Sequence, residues 1–433
     1  MYSRLAEDAH EVSARWEGWL LIVTAAFIFT NALALSLVTE GKISWQHLWG
    51  PTIWLMAIAA AHLLLFLFRP GHDPVFLVLF ALLTGWGIIL ADRLAANFLA
   101  RQVVWVVLGT AVLIGVTILP RNLRPLRRYR YTLLIFGLAL LALTLVFGIN
   151  PSGFGAALWL PLPLPYTGPV VFFQPSELLK LLLVIFLSSY FADRGPLLRQ
   201  NQQKGIRGAL PILAPLLLMW GFCMVLLVWQ RDLGAATLFF ILFLSLLYLA
   251  TGSRRYVAAG LVLLLLAGIL AYFLFDVVSL RVEAWWNPWP EALDRAFQIV
   301  QSLYAIAAGG LIGQGVGQGF PYYIPVVHSD FVFAAVAEEW GLIGSLALVG
   351  VFMLLAYRGF RLAMINKRPF RFYLATGITL LFSIQALLIM GGVTKLLPLT
   401  GVTLPFISYG GSSLLVSSIM LGLLLYMSIE LSE

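Results

Sequence analysis

Hydrophobic positions in this chain fall into long continuous runs, cut by Pro, Gly and charged residues, rather than into the stripes of a surface helix. The runs predict twelve helices, at about 18–38, 51–68, 75–91, 102–119, 131–148, 174–193, 209–228, 233–251, 256–275, 331–357, 372–396 and 406–428. A stretch of about 20 apolar residues is long enough to cross a ~30 Å hydrocarbon layer, so the expected fold class is an all-α polytopic membrane protein. Met1–Glu17 carries charges of both signs, and Trp19–Val38 is long enough to span. That run is therefore read as a membrane helix and not as a cleaved signal. The pattern breaks down in Asp276–Glu339, which holds seven of the nineteen acidic residues.

Composition supports the membrane class. Hydrophobic residues make up 61% and charged residues 11%, where a soluble chain carries about a quarter charged residues. The single Cys223 sits in an apolar run, which excludes a disulfide framework and a cysteine metal site. With both termini placed in the cytoplasm, nineteen of the 27 Lys and Arg residues fall on inner segments, in clusters such as Arg121, Arg124, Arg127, Arg128 and Arg130, or Arg194, Arg199, Lys204 and Arg207. This is the positive-inside bias of an even number of crossings. It also accounts for the basic balance without nucleic acid, because the clusters lie in short loops between spans, at the level of anionic lipid. The same topology sets the segment between helices nine and ten on the outer face. There it joins Asn150–Phe173, Trp229–Asp232 and Leu397–Pro405.

Four polar signatures map to that face: FFQPSELLK (Phe172–Lys180), WQRDLGAAT (Trp229–Thr237), a block running from Arg281 to Gly341, and LPLTGVTLPFISYGGSS (Leu397–Ser413). The block contains NPW, FQ-x-x-QS, GG with G-x-G-x-G, H-x-DF and EE-x-G in that order. Together, over about Val75 to the C-terminus, these signatures resemble the SEDS family of polytopic peptidoglycan glycosyltransferases, the group of RodA and FtsW.

The resemblance implies a ten-helix core, residues 73–433, with an extracytoplasmic catalytic loop at 276–330. Residues 1–72 are then an N-terminal extension of two added helices. It further implies polymerisation of lipid II at the outer face of the bacterial cytoplasmic membrane, with inversion at the anomeric carbon. Its expected partners are the nascent glycan strand and a single-span class B penicillin-binding protein, the transpeptidase. A divalent cation, Mg²⁺ or Mn²⁺, is the expected cofactor.

Glycosyl transfer from a lipid diphosphate needs a base for the acceptor hydroxyl and positive charge for the leaving group, so one carboxylate with cations suffices. In the family that carboxylate is an Asp six residues before the aromatic of the aromatic-Gln pair. Here that position is Glu291, and the nearest Asp is Asp294, three residues later. Both are candidates for the catalytic base, Asp294 by residue type and Glu291 by position. Substrate contacts are expected from Gln174, Glu177, Lys180, Gln230, Asp232, Arg101, Arg295, Gln298, Gln301, Ser302, His328, Asp330, Lys395 and Ser412. Glu177 and Lys180, at i and i+3, are also placed to pair with each other. The family's Arg before FQPSE is missing from Gly155–Trp159.

His328 and Asp330 with Glu338 and Glu339 invite a metal-site reading, against which stand helix capping and buried pairing, so metal ligands stay unassigned. Gly313, Gly315, Gly317 and Gly319 lack the strand and the Lys of a nucleotide loop and are read as tight turns. The serines of Ser408–Ser413 have no base beside them and suggest close packing at a broken helix start. A lipid II transporter and a catalytically idle scaffold remain the alternatives. A transporter should show inverted repeats and charges at mid-membrane, whereas the acidic residues here gather in one outer loop.

Overall fold

The computed structural model describes residues 2–120, 122–151, 153, 156–163, 170–201 and 206–429. Arg121, Gly155 and Lys204, named above, lie outside the described residues. Twelve described helices are long and apolar enough to cross a membrane, matching the twelve hydrophobic runs.

The chain divides into two compact units. The first takes in residues 1–120, 275–358 and 385–433. Its helices are α1 (Tyr2–Glu40), α2 (Trp45–Phe68), α3 (Pro74–Leu94) and α4 (Ala96–Ile118), followed later by α11 (Asp276–Trp286), α12 (Phe297–Gly309), most of α13 (Val332–Ile365), the end of α14 (Pro369–Val393) and α15 (Gly411–Ile429). Small residues bring α4 and α15 into contact. Gly109 lies under Leu414 and Ser418, and Gly422 under the Leu113 backbone, so that neither position has room for a side chain.

The second unit takes in residues 121–274 and 359–384. Its elements include α5 (Arg124–Arg128), α6 (Arg130–Phe147), α7 (Pro175–Asn201), α8 (Ile206–Trp229), α9 (Leu233–Thr251) and α10 (Arg254–Leu274). Before α7 an antiparallel hairpin pairs β1 (Leu160–Pro163) with β2 (Val170–Phe173) in the register Leu160 to Phe173, and so delivers Gln174 at the mouth of the helix. Two of the basic residues in the α5 and α6 region, Arg127 and Arg130, pair with Asp193 of α7.

Three features depart from the hydrophobic pattern. The acidic stretch contains two short helices, α11 and α12, where the pattern shows only a loop. The last span starts at Gly411 rather than near 406, because Phe406 has φ 67° and the chain turns on itself from Leu404 to Ser408. The third is a break inside α13 at Gly341 (φ 67°, ψ −164°).

That break explains the glycine series. Interrupting a helix orphans the carbonyls before the break and the N–H groups after it. The 309–315 loop supplies both kinds of partner: Gln314 and Gly315 N–H donate to the Glu338 and Glu339 carbonyls at 2.9 and 3.0 Å, and Leu342 and Ile343 N–H donate to the Gly310 and Leu311 carbonyls at 2.9 and 3.1 Å. Two backbones so close exclude Cβ atoms. One added at Gly309 would meet the Ala337 carbonyl oxygen at 1.9 Å.

Candidate active site

Within the second unit, Asp232 of the QRD motif joins FQPSE in one polar cluster. Pro175 opens α7, setting Glu177 and Lys180 one turn apart, and their side chains form a buried ion pair at 2.5 Å. The Gln174 amide donates to the Ser176 hydroxyl at 3.1 Å. Asp232 caps α9 by accepting from Ala235 N–H at 3.1 Å. Burial pushes the Asp232 carboxyl above its ordinary range, against the lowering pull of Ala235 N–H, the Ser176 hydroxyl and the Lys180 charge. Gln230 acts elsewhere. Its amide donates to the Leu141 carbonyl and the Thr144 hydroxyl, fastening the end of α8 to α6.

Removing one partner of a buried ion pair strands the other charge. Lys180→Met is accordingly expected to destabilise the protein by about 3–5 kcal/mol, with Lys180→Met/Glu177→Gln recovering part of the loss. Thermal unfolding of the purified variants in detergent checks this.

Within the first unit, the 276–330 segment is laid against the loop after α14. Arg281 of α11 donates to the Thr400 carbonyl at 3.1 Å, and the Trp285 indole N–H to the Lys395 carbonyl at 3.1 Å. From α12, the Gln298 amide reaches the Pro325 carbonyl at 3.4 Å, and the fully buried Ser302 hydroxyl contacts the Ile299 and Val393 carbonyls. Gln301 is half-buried on the same helix, and Ser412 is buried at the start of α15. Lys395 is half-buried and makes no ion pair among the described residues.

His328 and Asp330 are held by the SYGGSS segment. Tyr409 N–H donates to the His328 carbonyl at 2.9 Å and the Ser408 hydroxyl to the Ser329 carbonyl at 2.6 Å. Phe98 and Tyr409 stack at 4.8 Å, His328 lies 5.4 and 5.8 Å from the two rings, and the Arg101 guanidinium sits 5.9 Å from the Phe98 centroid and bonds the Tyr409 hydroxyl. Burial holds the His328 imidazole below its ordinary pKa, so it is neutral at pH 7. Asp330 is hemmed in by neighbours, and this crowding raises its carboxyl pKa although the Ser329 hydroxyl and the Arg281 charge pull the other way. Arg281 and Asp330 flank Gly401, whose φ of 72° and missing side chain leave the space between them open.

The two candidate bases belong to the first unit. Trp289–Glu291 forms a single 3₁₀ turn, and the Glu291 carbonyl accepts from Asp294 and Ala296 N–H at 3.1 and 3.0 Å. Glu291 and Asp294 thus project from one tight turn. Both are exposed, as is Arg295, and neither carboxylate makes an ion pair or side-chain hydrogen bond with a described residue.

Glu338 and Glu339 each use one carboxylate oxygen within the protein. Arg93 of α3 donates to Glu339 at 2.8 Å and to the Gly319 carbonyl at 2.7 Å, and Glu338 accepts from Phe320 N–H at 2.7 Å. Arg93, Phe98 and Tyr409 were not among the site candidates. An Arg at the end of an apolar run, with an aromatic residue soon after it, was the available signal.

The chain matches the FtsW/RodA/SpoVE description, "Cell cycle protein", over residues 72–433. It belongs to the FtsW/RodA/SpoVE (SEDS) family of peptidoglycan glycosyltransferases. Relatives include the peptidoglycan glycosyltransferase RodA of Mycobacterium tuberculosis, 35% identical over 94% of this chain and 88% of that protein. Another is the probable peptidoglycan glycosyltransferase FtsW of Geobacter metallireducens, 35% identical over 82% and 94%. Among solved structures, a chain from work described as structural coordination of polymerization and crosslinking by a peptidoglycan synthase complex is 30% identical, with a TM-score of 0.69 over 83% of this chain and 98% of that one. The Thermus thermophilus rod shape determining protein RodA is 27% identical with a TM-score of 0.59, over 82% and 96%. As a SEDS protein, this chain is a multi-pass membrane enzyme of peptidoglycan glycosyl transfer.

Proposed function

We propose that this SEDS enzyme polymerises lipid II into glycan strands at the outer face of the cytoplasmic membrane, with inversion at the anomeric carbon and with both termini in the cytoplasm. The observation that carries this reading is the pair of carboxylates, Asp294 and Glu291, unpaired among the described residues, on one solvent-open turn of the 276–330 segment. A base must reach the acceptor hydroxyl without first breaking a bond to the protein, and these two groups meet that condition. One of them removes the acceptor proton, Asp294 on residue type and Glu291 on position. The acceptor oxygen then bonds to the anomeric carbon of the donor as the bond to its diphosphate breaks on the opposite face.

Phe98, neutral His328 and Tyr409 offer flat surfaces suited to a sugar ring, with Arg101 beside them for a phosphate. Lys395 and Arg281 supply further charge in that unit.

A divalent cation fits this donor set as a diphosphate-borne ion. Among the described residues no three His, Cys, Asp or Glu side chains converge to hold a metal, whereas Mg²⁺ is commonly held by one or two carboxylates together with substrate phosphates. Whichever of Asp294 and Glu291 acts as the base would also hold it, together with the diphosphate. When bound, the ion supplies positive charge to the departing diphosphate. Chelation with EDTA is expected to stop strand synthesis and Mn²⁺ to restore it, read as glycan products on a gel; undiminished synthesis in EDTA would remove the cation from the mechanism.

The partner proposed is a class B penicillin-binding protein, which crosslinks the strands as they form. Support comes from the peptidoglycan synthase complex to which the 30% identical chain belongs.

A further inference from the structure

We propose that α1 and α2 brace the outer loop of the enzyme, latched by two histidine–carboxylate clamps at opposite ends of α2, and that the clamp at His72 opens when that residue loses its proton. The proposal rests on the geometry of the helices and not on which carboxylate is the base.

The first clamp is centred on Glu17 of α1, which is 1% exposed. Its two oxygens meet His62 Nδ1 at 3.0 Å and His72 Nε2 at 2.7 Å. His72 Nδ1 in turn lies 3.0 Å from the Arg69 carbonyl. With Glu17 ionised, both of its neighbours only accept, so each ring nitrogen of His72 must carry a proton for both contacts to be hydrogen bonds. His72 is then an imidazolium, and its charge answers that of a buried carboxylate.

The second clamp is centred on His47 of α2. His47 Nδ1 meets Asp92 of α3 at 2.7 Å, and Nε2 meets the Thr39 hydroxyl of α1 at 3.1 Å with Glu40 at 3.7 Å. Thr39 already donates its proton to the Leu35 carbonyl at 2.7 Å, so its oxygen accepts from His47. One histidine therefore ties α1, α2 and α3 together.

Between the clamps α1 bears on the loop that fills the break in α13. Asn31 accepts from the Trp340 indole N–H at 3.1 Å, one residue before Gly341, and Gly317 fits against Leu35 and Val38. Trp86 of α3 continues the contact, with ring centroids 5.4 Å from Phe27 and 5.5 Å from Trp340. A shift of α1 would thus loosen the 309–320 loop directly.

The sign of the pH effect follows from His72. Burial alone lowers its pKa, but the hydrogen bond and charge of Glu17, with the Arg69 carbonyl and the Asp73 charge, together leave it above the ordinary value. The clamp is therefore fully formed below about pH 6.5, the unperturbed histidine value, and is lost as pH rises through the raised value. Other groups at this end are Arg69, whose carbonyl meets His72, and Asp73 with its partner Arg358 at 3.3 Å. At the far end stand Glu40, Asp92 and the Arg93–Glu339 pair.

The test is hydrogen exchange on the full chain in detergent, following amides 310–320 and 342–343 from pH 6 to 9 and correcting for intrinsic exchange rates. In the wild type, protection should be high at pH 6 and fall as pH rises, by about tenfold for each unit of upward shift in the His72 pKa. His72→Gln should be less protected and flat with pH, and His72→Arg, which keeps its charge, should stay protected throughout. Asn31→Leu serves as the control: lower protection at every pH with the wild-type pH dependence. A flat wild-type profile, or a His72→Gln profile matching the wild type, overturns the proposal. If His72→Gln does not fold, the wild-type and His72→Arg profiles decide it.

Discussion

Replacing one of Asp294 and Glu291 by its amide is expected to lower glycan polymerisation by about 10²–10⁴-fold, the usual contribution of a positioned base, while the other amide variant stays within a few fold of wild type. The two share one turn but differ by three positions and one methylene, so only one can lie in line with an acceptor hydroxyl bound in a fixed pose. Neither carboxylate is fastened to another side chain among the described residues, so each amide should leave folding unchanged. Loss confined to one variant, in protein with wild-type thermal stability, assigns the base. Equal loss in both would mean that the turn serves charge rather than base catalysis.

The next largest effect is expected from the glycines at the broken helix. Gly341→Ala places a methyl 2.3 Å from the Gly313 nitrogen, and Gly309→Ala places one 1.9 Å from the Ala337 carbonyl oxygen. The obstacle in each case is backbone, which cannot rotate away, and the four hydrogen bonds that close the break in α13 would part together. The expected cost exceeds ~4 kcal/mol, a size reached by few single substitutions and comparable to the whole stability of many proteins. Gly221 of α8 and Gly268 of α10 have open space where a Cβ would go, and alanine there should be neutral or slightly stabilising. Fluorescence size-exclusion chromatography of the four variants separates the cases: collapse of the first two peaks and normal peaks for the last two.

The membrane spans were legible because bilayer thickness leaves a 20-residue signature that needs no tertiary information. Helices α11 and α12 left none, being short and partly polar, and their placement depends on partners far along the chain such as Thr400 and Val393. The Glu177–Lys180 pair was readable from i, i+3 spacing, while the Arg93–Glu339 pair, 246 residues apart in sequence, was not. Gln230 shows the limit of reading a motif by resemblance alone: its amide is used on Leu141 and Thr144 of α6, a contact no local pattern announces. Of the four glycines read as tight turns, Gly313, Gly315 and Gly317 adopt positive φ and Gly319 does not. Their second purpose, letting a loop's backbone enter a broken helix, needed the coordinates of both.

Catalysis itself is tested most simply by strand synthesis with the purified wild-type chain, given lipid II, Mn²⁺ and a class B partner whose transpeptidase is blocked by a β-lactam. Long uncrosslinked glycan strands are expected, and they should disappear when the base is replaced by its amide. A folded, partner-bound wild type that makes no strands from lipid II would contradict the assignment of this chain as the polymerase.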